Sequence, residues 1–192
     1  MSAPLTLVTL SDLPRLGFKG RGTLDAMKAR GFFVDATPNR AYRQADGSLC
    51  MVLAPGEVFL LAAPHGDGGR FEALLHDWRI EDEERTYPLL RRDSHAWFAV
   101  IGNNASEFFA RLCGVDLRPR AFPDLSIAQT SLAKLNAIIL RADVGDMPVF
   151  HVLADSASAD YLQHCLADAA GEFDGHWIEP EAWKHLAVQR GG

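Results

Sequence analysis

Phe18-Lys19-Gly20-Arg21-Gly22 leads from a strand-like segment into a helical pattern that ends at Gly31. Val100-Ile101-Gly102-Asn103-Asn104 repeats this arrangement and leads into a helical pattern that ends at Gly114. The turn glycine and the terminating glycine are eleven residues apart in the first case (20 to 31) and twelve in the second (102 to 114). Hairpin-like strands and a further helix follow each time, so we predict an internal duplication with two related lobes.

Capping signals mark the ends of the two helices. Thr23 is the predicted N-cap of the first helix, and Gly31 is placed where a helix commonly ends in a left-handed residue. Asn104 with Glu107 three residues later forms a capping-box pattern before the second helix, which is expected to span residues 105–113.

Further strands and helices alternate along the chain. Asp46-Gly47 between two apolar runs is a strong hairpin signal, whereas Pro119 and Pro123 indicate an irregular connection over residues 118–127. Two more helices are expected, over residues 69–79 and 158–170, the second capped by Asp155 or Ser156 and closed by Gly171. The strands are expected at 5–10, 15–18, 42–44, 49–53, 58–63, 87–91, 94–101, 134–141 and 148–154.

Because these strands often come in hairpin pairs, the pattern indicates an α+β protein with helices on one face of largely antiparallel sheets. We predict an N-terminal α+β lobe over residues 1–92, a second over 93–173 and a tail over 174–192. In the tail, Pro180 suits the first position of a helix whose Trp183, Leu186 and Ala187 share one face.

Composition excludes several classes of function. The formal net charge of -6 over 192 residues argues against a protein that tracks nucleic-acid phosphate. No apolar run approaches the length of a membrane span, and residues 1–12 lack the basic and apolar regions of a secretory signal. Three widely spaced cysteines among apolar neighbours are typical of core thiols in a reducing compartment, so we expect a cytoplasmic protein.

The sequence carries only weak signatures of catalytic, cofactor-binding or metal-binding sites. Gly17, Gly20 and Gly22 superficially resemble a dinucleotide fingerprint, but their spacing has the wrong order and no long βαβ unit surrounds them. The seven histidines never fall four residues apart on one helix, and no Gly-x-Ser-x-Gly motif occurs. We therefore predict no catalytic, cofactor-binding or metal-binding residue in this chain.

Several motifs occur in a fixed order over residues 14 to 173, and they include Leu16-Gly17-Phe18-Lys19-Gly20-Arg21-Gly22, Pro38-Asn39, Asp46-Gly47, Leu53-Ala54-Pro55-Gly56-Glu57, Ser94-His95, Asp116-Leu117, Ala121-Phe122-Pro123, Gln129-Thr130 and Ser156-Ala157-Ser158-Ala159-Asp160-Tyr161-Leu162. Together these motifs resemble the gamma subunit of heterotetrameric sarcosine oxidases. The resemblance implies a fold related to the folate-binding aminomethyltransferases of glycine cleavage, which are built from the same duplicated lobes.

The resemblance also implies partners and a reaction. Alpha, beta and delta subunits would oxidise the N-methyl group of sarcosine, giving glycine, hydrogen peroxide and either 5,10-methylenetetrahydrofolate or formaldehyde. FAD, FMN, NAD and tetrahydrofolate are expected on the alpha and beta chains, with zinc on delta and no cofactor on this chain. The gamma chain would stabilise the complex and enclose the channel for the one-carbon unit.

A stand-alone folate-binding one-carbon transfer protein is the alternative, because aminomethyltransferases reach the pterin with a glycine-rich turn that carries a glutamate. The matching stretch here, Arg141-Ala142-Asp143-Val144-Gly145-Asp146-Met147-Pro148, is short and has no glutamate. This departure argues against folate binding by this chain. An unrelated α+β interaction module is the third hypothesis.

The sequence therefore predicts a surface that binds protein partners. Lys19 and Arg21 beside the first glycine turn are either an anion site or solvated bases. Asn39 and Arg40 follow Phe32-Phe33 in a second loop that is expected to face a partner. Trp177 and Trp183 are aromatic anchors of the kind favoured in interfaces, unless the tail folds back on its own lobe.

Overall fold

A computed structural model of the chain describes residues 5–66, 68–80 and 85–191. The described residues form two compact units, which are Asp12–Asp93 and a second one that joins Met1–Ser11 to Ser94–Gly192. Each unit contains one sheet in which antiparallel pairs dominate, together with a few helices. The predicted α+β class with two related lobes is confirmed.

Strands and helices follow one another in an order that repeats. The strands in the described ranges are β1 Thr6–Thr9, β2 Arg15–Gly20, β3 Arg40–Arg43, β4 Leu49–Ala54, β5 Glu57–Leu61, β6 Thr86–Leu89, β7 His95–Ile101, β8 Ile127–Leu132, β9 Leu135–Arg141, β10 Val149–Asp155 and β11 His176–Ile178. The α-helices are α1 Thr23–Ala29, α2 Gly69–Asp77, α3 Arg91–Ser94, α4 Ala105–Phe109, α5 Ala159–Ala170 and α6 Pro180–Gly191. Short 3₁₀ turns occupy Ser156–Ser158 and Gly171–Phe173.

The unit Asp12–Asp93 has the strand order β3-β4-β5-β2-β6, and every neighbouring pair is antiparallel. Its core joins alternate strand residues, such as Phe18 and Val58, to Met27 of α1 and Phe71 of α2. Both helices therefore cover the same face of the sheet, as predicted.

The other unit has the strand order β11-β1-β7-β10-β9-β8, in which only β1 and β11 run parallel. Its core packs Phe98, Val100 and Phe150 of the sheet against α4 and α5. Alternation of inward residues along β7 and β10 places these side chains on one face.

Five strands of the six-stranded sheet match the five-stranded sheet in order, with β11 as the additional strand, and the two sheets exchange one strand each. The order β3-β4-β5-β2-β6 corresponds to β8-β9-β10-β7-β1, so β2 and β7 occupy equivalent central positions. Along the chain β1 precedes β2 but pairs with β7, and β6 precedes β7 but pairs with β2. Such a reciprocal exchange supports the predicted duplication.

The glycine corners of the two units have the same backbone geometry. Gly20 and Gly102 adopt φ values of 153° and 130°, which side-chain-bearing residues rarely tolerate. The Gly20 N–H donates to Gly56 O at 2.8 Å, and the Gly102 N–H donates to Pro148 O at 3.0 Å. The N-caps that follow, Gly22 and Asn104, have nearly identical dihedrals of -91°, 8° and -87°, 2°.

The expected boundary between residues 92 and 93 lies one residue from the division between the compact units, but residues 1–11 and the predicted tail over 174–192 both belong to the second unit. β1 belongs with residues 94–192 because it hydrogen-bonds to β7, and β11 of the tail pairs with β1. Strand pairing between ends of the chain this distant leaves no local signal in the sequence.

Helix ends were predicted with mixed success. Gly31 is left-handed at φ 77°, and the Gly31 and Phe32 N–H groups bond to Lys28 O and Met27 O as in a Schellman motif. Thr23, however, is the first residue of α1 rather than its cap, because its hydroxyl donates to Gly20 O at 2.9 Å.

The second helix departs further from expectation. Asn104 makes no side-chain capping hydrogen bond, and α4 ends at Phe109 rather than at residue 113. Asp155 does cap the approach to α5 by accepting from the Ala157 N–H at 2.9 Å. α5 ends at Ala170 with Gly171 as its C-cap, as predicted, and a 3₁₀ turn then leads to the left-handed Asp174 at φ 51°.

Two strands were missed. The sequence predicted an irregular connection over residues 118–127 and no strand directly after it. In the structure, β8 begins at Ile127 and forms a hairpin with β9. Its two-residue turn, Ala133 and Lys134, has φ values of 48° and 68° without any glycine or asparagine to signal it. β11 was also missed, because three residues are too short for a visible alternation.

Among residues 5–66, 68–80 and 85–191, none of the helices has the length and apolar character that a membrane span requires.

Candidate partner-binding surface

Lys19 and Arg21 lie beside the first glycine corner, where an open cavity of about 510 Å³ is lined by Lys19, Gly20, Arg21, Ala54, Pro55, Gly56 and Glu57. Lys19 Nζ lies 3.0 Å from Glu57 Oε2, and Arg91 Nη2 lies 2.5 Å from Glu57 Oε1. An anion in this cavity would meet the Glu57 carboxylate, and α1 is too short to add a strong dipole. The geometry therefore favours solvated bases over an anion site.

Each glycine of the superficial nucleotide pattern has a structural reason. A Cβ on Gly17 would lie 2.8 Å from Arg91 Nε, so the missing side chain lets Arg91 lie across β2. Gly20 needs its left-handed φ, and Gly22 is the N-cap of α1. The corner is thus explained without a nucleotide.

Arg40 is the first residue of β3, an edge strand of the first unit's sheet, and Asn39 directly precedes it. Asn39 is exposed, has a left-handed φ of 57° and donates its N–H to Val52 O at 2.7 Å. Arg40 is half-buried and lies opposite Val52. Two strands, β4 and β5, separate this position from β2, so the structure does not bring Arg40 together with Lys19.

The neighbouring pair Phe32-Phe33 splits between interior and surface. Phe32 is buried with the Arg70 guanidinium 4.0 Å from its ring centroid, whereas Phe33 is 69% exposed. The Gln44 side chain accepts from the Phe33 N–H and donates to the Phe33 carbonyl, both at 2.8 Å. Gln44 therefore holds the backbone of Phe33, while the Phe33 ring is exposed.

The two tail tryptophans pack within their own unit. Trp183 is fully buried at 0% exposure, so its ring does not form the surface anchor that the sequence predicted. Trp177 is half-buried in β11 with its ring centroid 6.0 Å from that of Phe98. Pairing of β11 with β1 draws the tail onto its own sheet, which favours the alternative that the tail folds back.

The short turn over residues 141–148 is held closed by charged side chains. Arg141 Nε donates to Asp143 Oδ1 at 2.9 Å and Nη2 donates to Oδ2 at 2.7 Å, while Nη1 donates to Phe122 O at 3.0 Å. Asp124 Oδ1 accepts from the Asp143 N–H at 2.8 Å. The role of Asp124 was missed because it lies far from the turn in sequence.

The helix α6 approaches this same turn. Gly145 has a φ of 60°, and a Cβ on it would lie 2.7 Å from Arg190 O. Arg190 Nη1 also lies 3.3 Å from Asp146 Oδ1. The chain's own atoms thus occupy the space next to the turn.

A polar groove that the sequence did not reveal lies on the second unit's sheet. Its volume is about 480 Å³, and it is lined by His95, Gln129, Thr130, Ser131, Asn136, Ala137, Ile138 and Leu153. The side chains supply hydrogen-bond donors and acceptors but no carboxylate, ammonium or guanidinium group.

Nucleophilic or metal chemistry finds little support in the described residues. Burial raises the pKa of Cys50 to about 12, and burial also raises the pKa of Cys113. A reactive thiol needs the opposite shift. No group of three His, Cys, Asp or Glu residues that could hold a metal ion occurs in the described ranges.

Duplicated lobes of largely antiparallel sheet, joined by glycine corners, define a fold class that known structures share. No protein-family model and no curated protein sequence matches this chain. Heterotetrameric sarcosine oxidase from Corynebacterium sp. U-96, solved with pyrrole 2-carboxylate, contains a chain with a TM-score of 0.73 and 21% identity. That match covers 91% of this chain and 87% of the other.

Glycine cleavage system aminomethyltransferase T from Bartonella henselae has a TM-score of 0.65 and 15% identity. That match covers 92% of this chain but only 48% of the enzyme, so the chain spans about half the length of that protein. Identities this low concern the fold alone. The predicted resemblance to these two kinds of protein is confirmed at that level.

Proposed function

We propose that this chain is a non-catalytic gamma-type subunit of a heterotetrameric sarcosine oxidase or a close analogue that oxidises another N-methyl amine. The observation that carries the proposal is the fold match along 87% of a chain from a heterotetrameric oxidase, against 48% of an aminomethyltransferase. A chain that corresponds to nearly the whole of one subunit suits a place in such an assembly.

In this role the chain works with alpha, beta and delta subunits in the cytoplasm. FAD, FMN, NAD and tetrahydrofolate belong to the alpha and beta subunits, and zinc belongs to delta. The complex demethylates sarcosine to glycine, and this chain stabilises the assembly and encloses the channel for the one-carbon unit. The net charge of -6 and the absence of a basic stripe in the sequence support protein partners over nucleic acid.

The filled turn at residues 141–148 supports a structural role for this chain. Asp143 is engaged by Arg141, and Gly145 is in contact with Arg190 of α6. A folate ring would have to displace these groups, which costs the hydrogen bonds of a largely buried ion pair.

Co-purification tests the proposed assembly. The tagged full-length chain, expressed at its native level, is expected to bring down a flavoprotein in a fixed ratio. The purified complex is expected to produce hydrogen peroxide when sarcosine is added, because the partner subunits carry the flavins. Recovery of the chain without any flavoprotein would contradict the proposal.

Titration of the isolated chain with tetrahydrofolate separates the subunit from the stand-alone folate protein. We expect no saturable change in tryptophan fluorescence at micromolar ligand, although Trp177 is half-buried and able to report on its surroundings. An aminomethyltransferase serves as the positive control for the ligand. Saturable micromolar binding by the lone chain would instead favour the folate-transfer alternative.

A further inference from the structure

The duplication provides an internal comparison between two glycine corners. In the unit Asp12–Asp93, the Gly20 N–H donates to Gly56 O directly before β5, and in the other unit the Gly102 N–H donates to Pro148 O directly before β10. The turn that meets the corner covers only residues 55 and 56 in the first case but residues 142–148 in the second. The two corners are therefore equivalent positions with turns of different length.

The helix α6 covers the corner at Gly102. β11 ends at Ile178, which pairs with Val8 of β1, and α6 then contacts β1 on its way to the turn over residues 142–148. At that turn Arg190 O lies 2.7 Å from the position of a Cβ on Gly145. β1 and β10 flank β7 on its two sides. The helix thus crosses the end of β7 and brings its C-terminal end to the corner.

The equivalent corner of the unit Asp12–Asp93 is open. Residues 12–66, 68–80 and 85–93 contain no counterpart of β11 or α6. The cavity of about 510 Å³ lies here, and we call its lining the first corner, which consists of Lys19, Gly20, Arg21, Ala54, Pro55, Gly56 and Glu57. The comparison shows that a helix fits over this position in the duplicated fold.

The course of α6, transferred to the first corner, begins at β6, which is the counterpart of β1. Tyr87 of β6 and Lys19 of β2 are directly opposite each other, so their side chains share one face of the sheet. The Tyr87 residue is 49% exposed and the Lys19 side chain 64% exposed. Ala54 and Pro55 add apolar surface where the course ends. An amphipathic helix would therefore find an aromatic ring, an ammonium group and an apolar turn along its path.

Charges at the first corner favour the C-terminal end of a helix. Glu57 is already paired with Lys19 and Arg91, and Arg21 is exposed beside them. A free anion would meet the Glu57 carboxylate. A helix C-terminus carries only about half a negative charge, distributed over its last carbonyl groups. Those carbonyls can accept from Lys19 and Arg21 without bringing a second carboxylate close to Glu57.

We propose that the first corner binds the C-terminal end of an amphipathic helix from another protein chain, in the position that α6 takes at the corner of the other unit. This inference rests on the proposed function in taking that chain to be a subunit of the oxidase assembly. A second copy of this chain is the less suitable occupant, because its C-terminal helix already packs on its own turn, where Arg190 meets Gly145 and Asp146.

Lysine acylation of the purified assembly tests the proposal. Lys19 is expected to react at least about tenfold more slowly in the assembly than in the isolated chain, because a helix end over the corner excludes water and reagent. Lys28 is an exposed lysine on α1, outside the first corner, and serves as the control whose rate should not change. The ratio of the two rates, read by mass spectrometry, reports on the corner alone.

Charge variants at an exposed position give an independent measurement. Arg21→Glu should weaken assembly about tenfold, because a carboxylate repels the carbonyl end of a helix. The variant is expected to fold, since a negative charge before the N-terminus of α1 is favourable. Arg21→Lys should retain assembly. Arg120→Glu, the same charge change at an exposed residue of the other unit, should leave it unchanged.

A photoreactive residue at position 21 identifies the occupant. The cross-linked residue is expected to lie in the last turn of a helix in a partner subunit. A cross-link to an extended strand or to a loop of the partner would overturn the proposal.

The outcomes distinguish the corner proposal from the proposed function. An assembly with flavin in which Lys19 reacts as fast as in the isolated chain would overturn the corner proposal and leave the proposed function standing. Protection of Lys19 by the helix of a partner without flavin would support the corner and contradict the proposed function. Dimers of the lone chain that Arg21→Glu dissociates would assign the corner to a second copy and overturn the proposal. Equal effects of Arg21→Glu and Arg120→Glu on assembly would also show that it is wrong.

Discussion

Replacing Gly20 with alanine is expected to lower the free energy of unfolding by about 4 kcal/mol or more, which is among the largest effects of single substitutions. Two causes act together at this corner. A Cβ on Gly20 would lie 1.7 Å from Arg85 O, and the backbone has a φ of 153° that alanine rarely adopts. Because the clash is with the backbone next to β6, relief requires movement of a whole strand.

Alanine substitutions at two other glycines separate the steric clash from the backbone strain. Their free energies of unfolding can be measured in the same urea or guanidinium titration. Gly31 has a φ of 77°, but a Cβ added there would meet nothing within 4 Å, so Gly31→Ala should cost only about 1 kcal/mol through backbone strain. Gly114 has neither a positive φ nor a close neighbour, so Gly114→Ala should be nearly neutral. Equal losses in Gly20→Ala and Gly31→Ala would contradict the steric argument.

Replacing Arg141 with methionine is expected to cost about 3–5 kcal/mol, because it leaves the mostly buried Asp143 carboxylate without its bidentate partner. The side chains of Arg141 and Asp143 are only 10% and 20% exposed, so water replaces the lost hydrogen bonds poorly. The Phe122 carbonyl also loses a donor. Hydrogen bonding to Asp143 raises the pKa of the Arg141 guanidinium above its usual value.

The chain contains a matched control for this substitution. Arg118 bonds to Asp116 through Nε and Nη2 at 2.8 and 2.6 Å, with the same two-residue spacing and bidentate geometry. That pair is on the surface, where water and salt screen it, so Arg118→Met should leave the unfolding midpoint unchanged. Chemical denaturation of both variants is the measurement. A loss in Arg118→Met as large as that in Arg141→Met would show that burial is not the cause.

A folded Arg141→Met protein also tests whether loss of the Arg141–Asp143 pair is enough to let the turn at residues 141–148 bind tetrahydrofolate. Removal of the guanidinium takes away one partner of Asp143, which still accepts from the Val149 N–H, and leaves the Gly145 position against Arg190 O. Tetrahydrofolate binding is therefore expected to stay absent in this variant, as in the parent chain.

Features that depend on near neighbours were predictable from the sequence. The glycine corners, the Gly31 helix end and the amphipathic helices follow from backbone conformations and side-chain spacing within a few residues. Hairpin pairing at Asp46-Gly47 was equally local, since Asp46 Oδ1 accepts from the Ser48 N–H at 3.0 Å within the turn. The resemblance rested on the same local motifs.

Features that depend on distant parts of the chain could not be predicted from the sequence. The candidate partner residues show this most clearly, because Lys19 and Arg21 are exposed or paired at the surface while Trp183 is fully buried. An amphipathic aromatic residue in a tail fits an interface and a core equally well. Only the packing of α6 distinguished the two.

The sequence alone therefore determined the α+β class, the duplication and the places where the chain turns, because each of these has a local physical signature. Tertiary structure decided that β1 and β6 exchange between the duplicated sheets, that β11 joins β1, and that β8 is an edge. Strand partners are chosen by hydrogen bonds between residues up to 170 positions apart, as in Thr6 with His176, and no short window of sequence contains that choice.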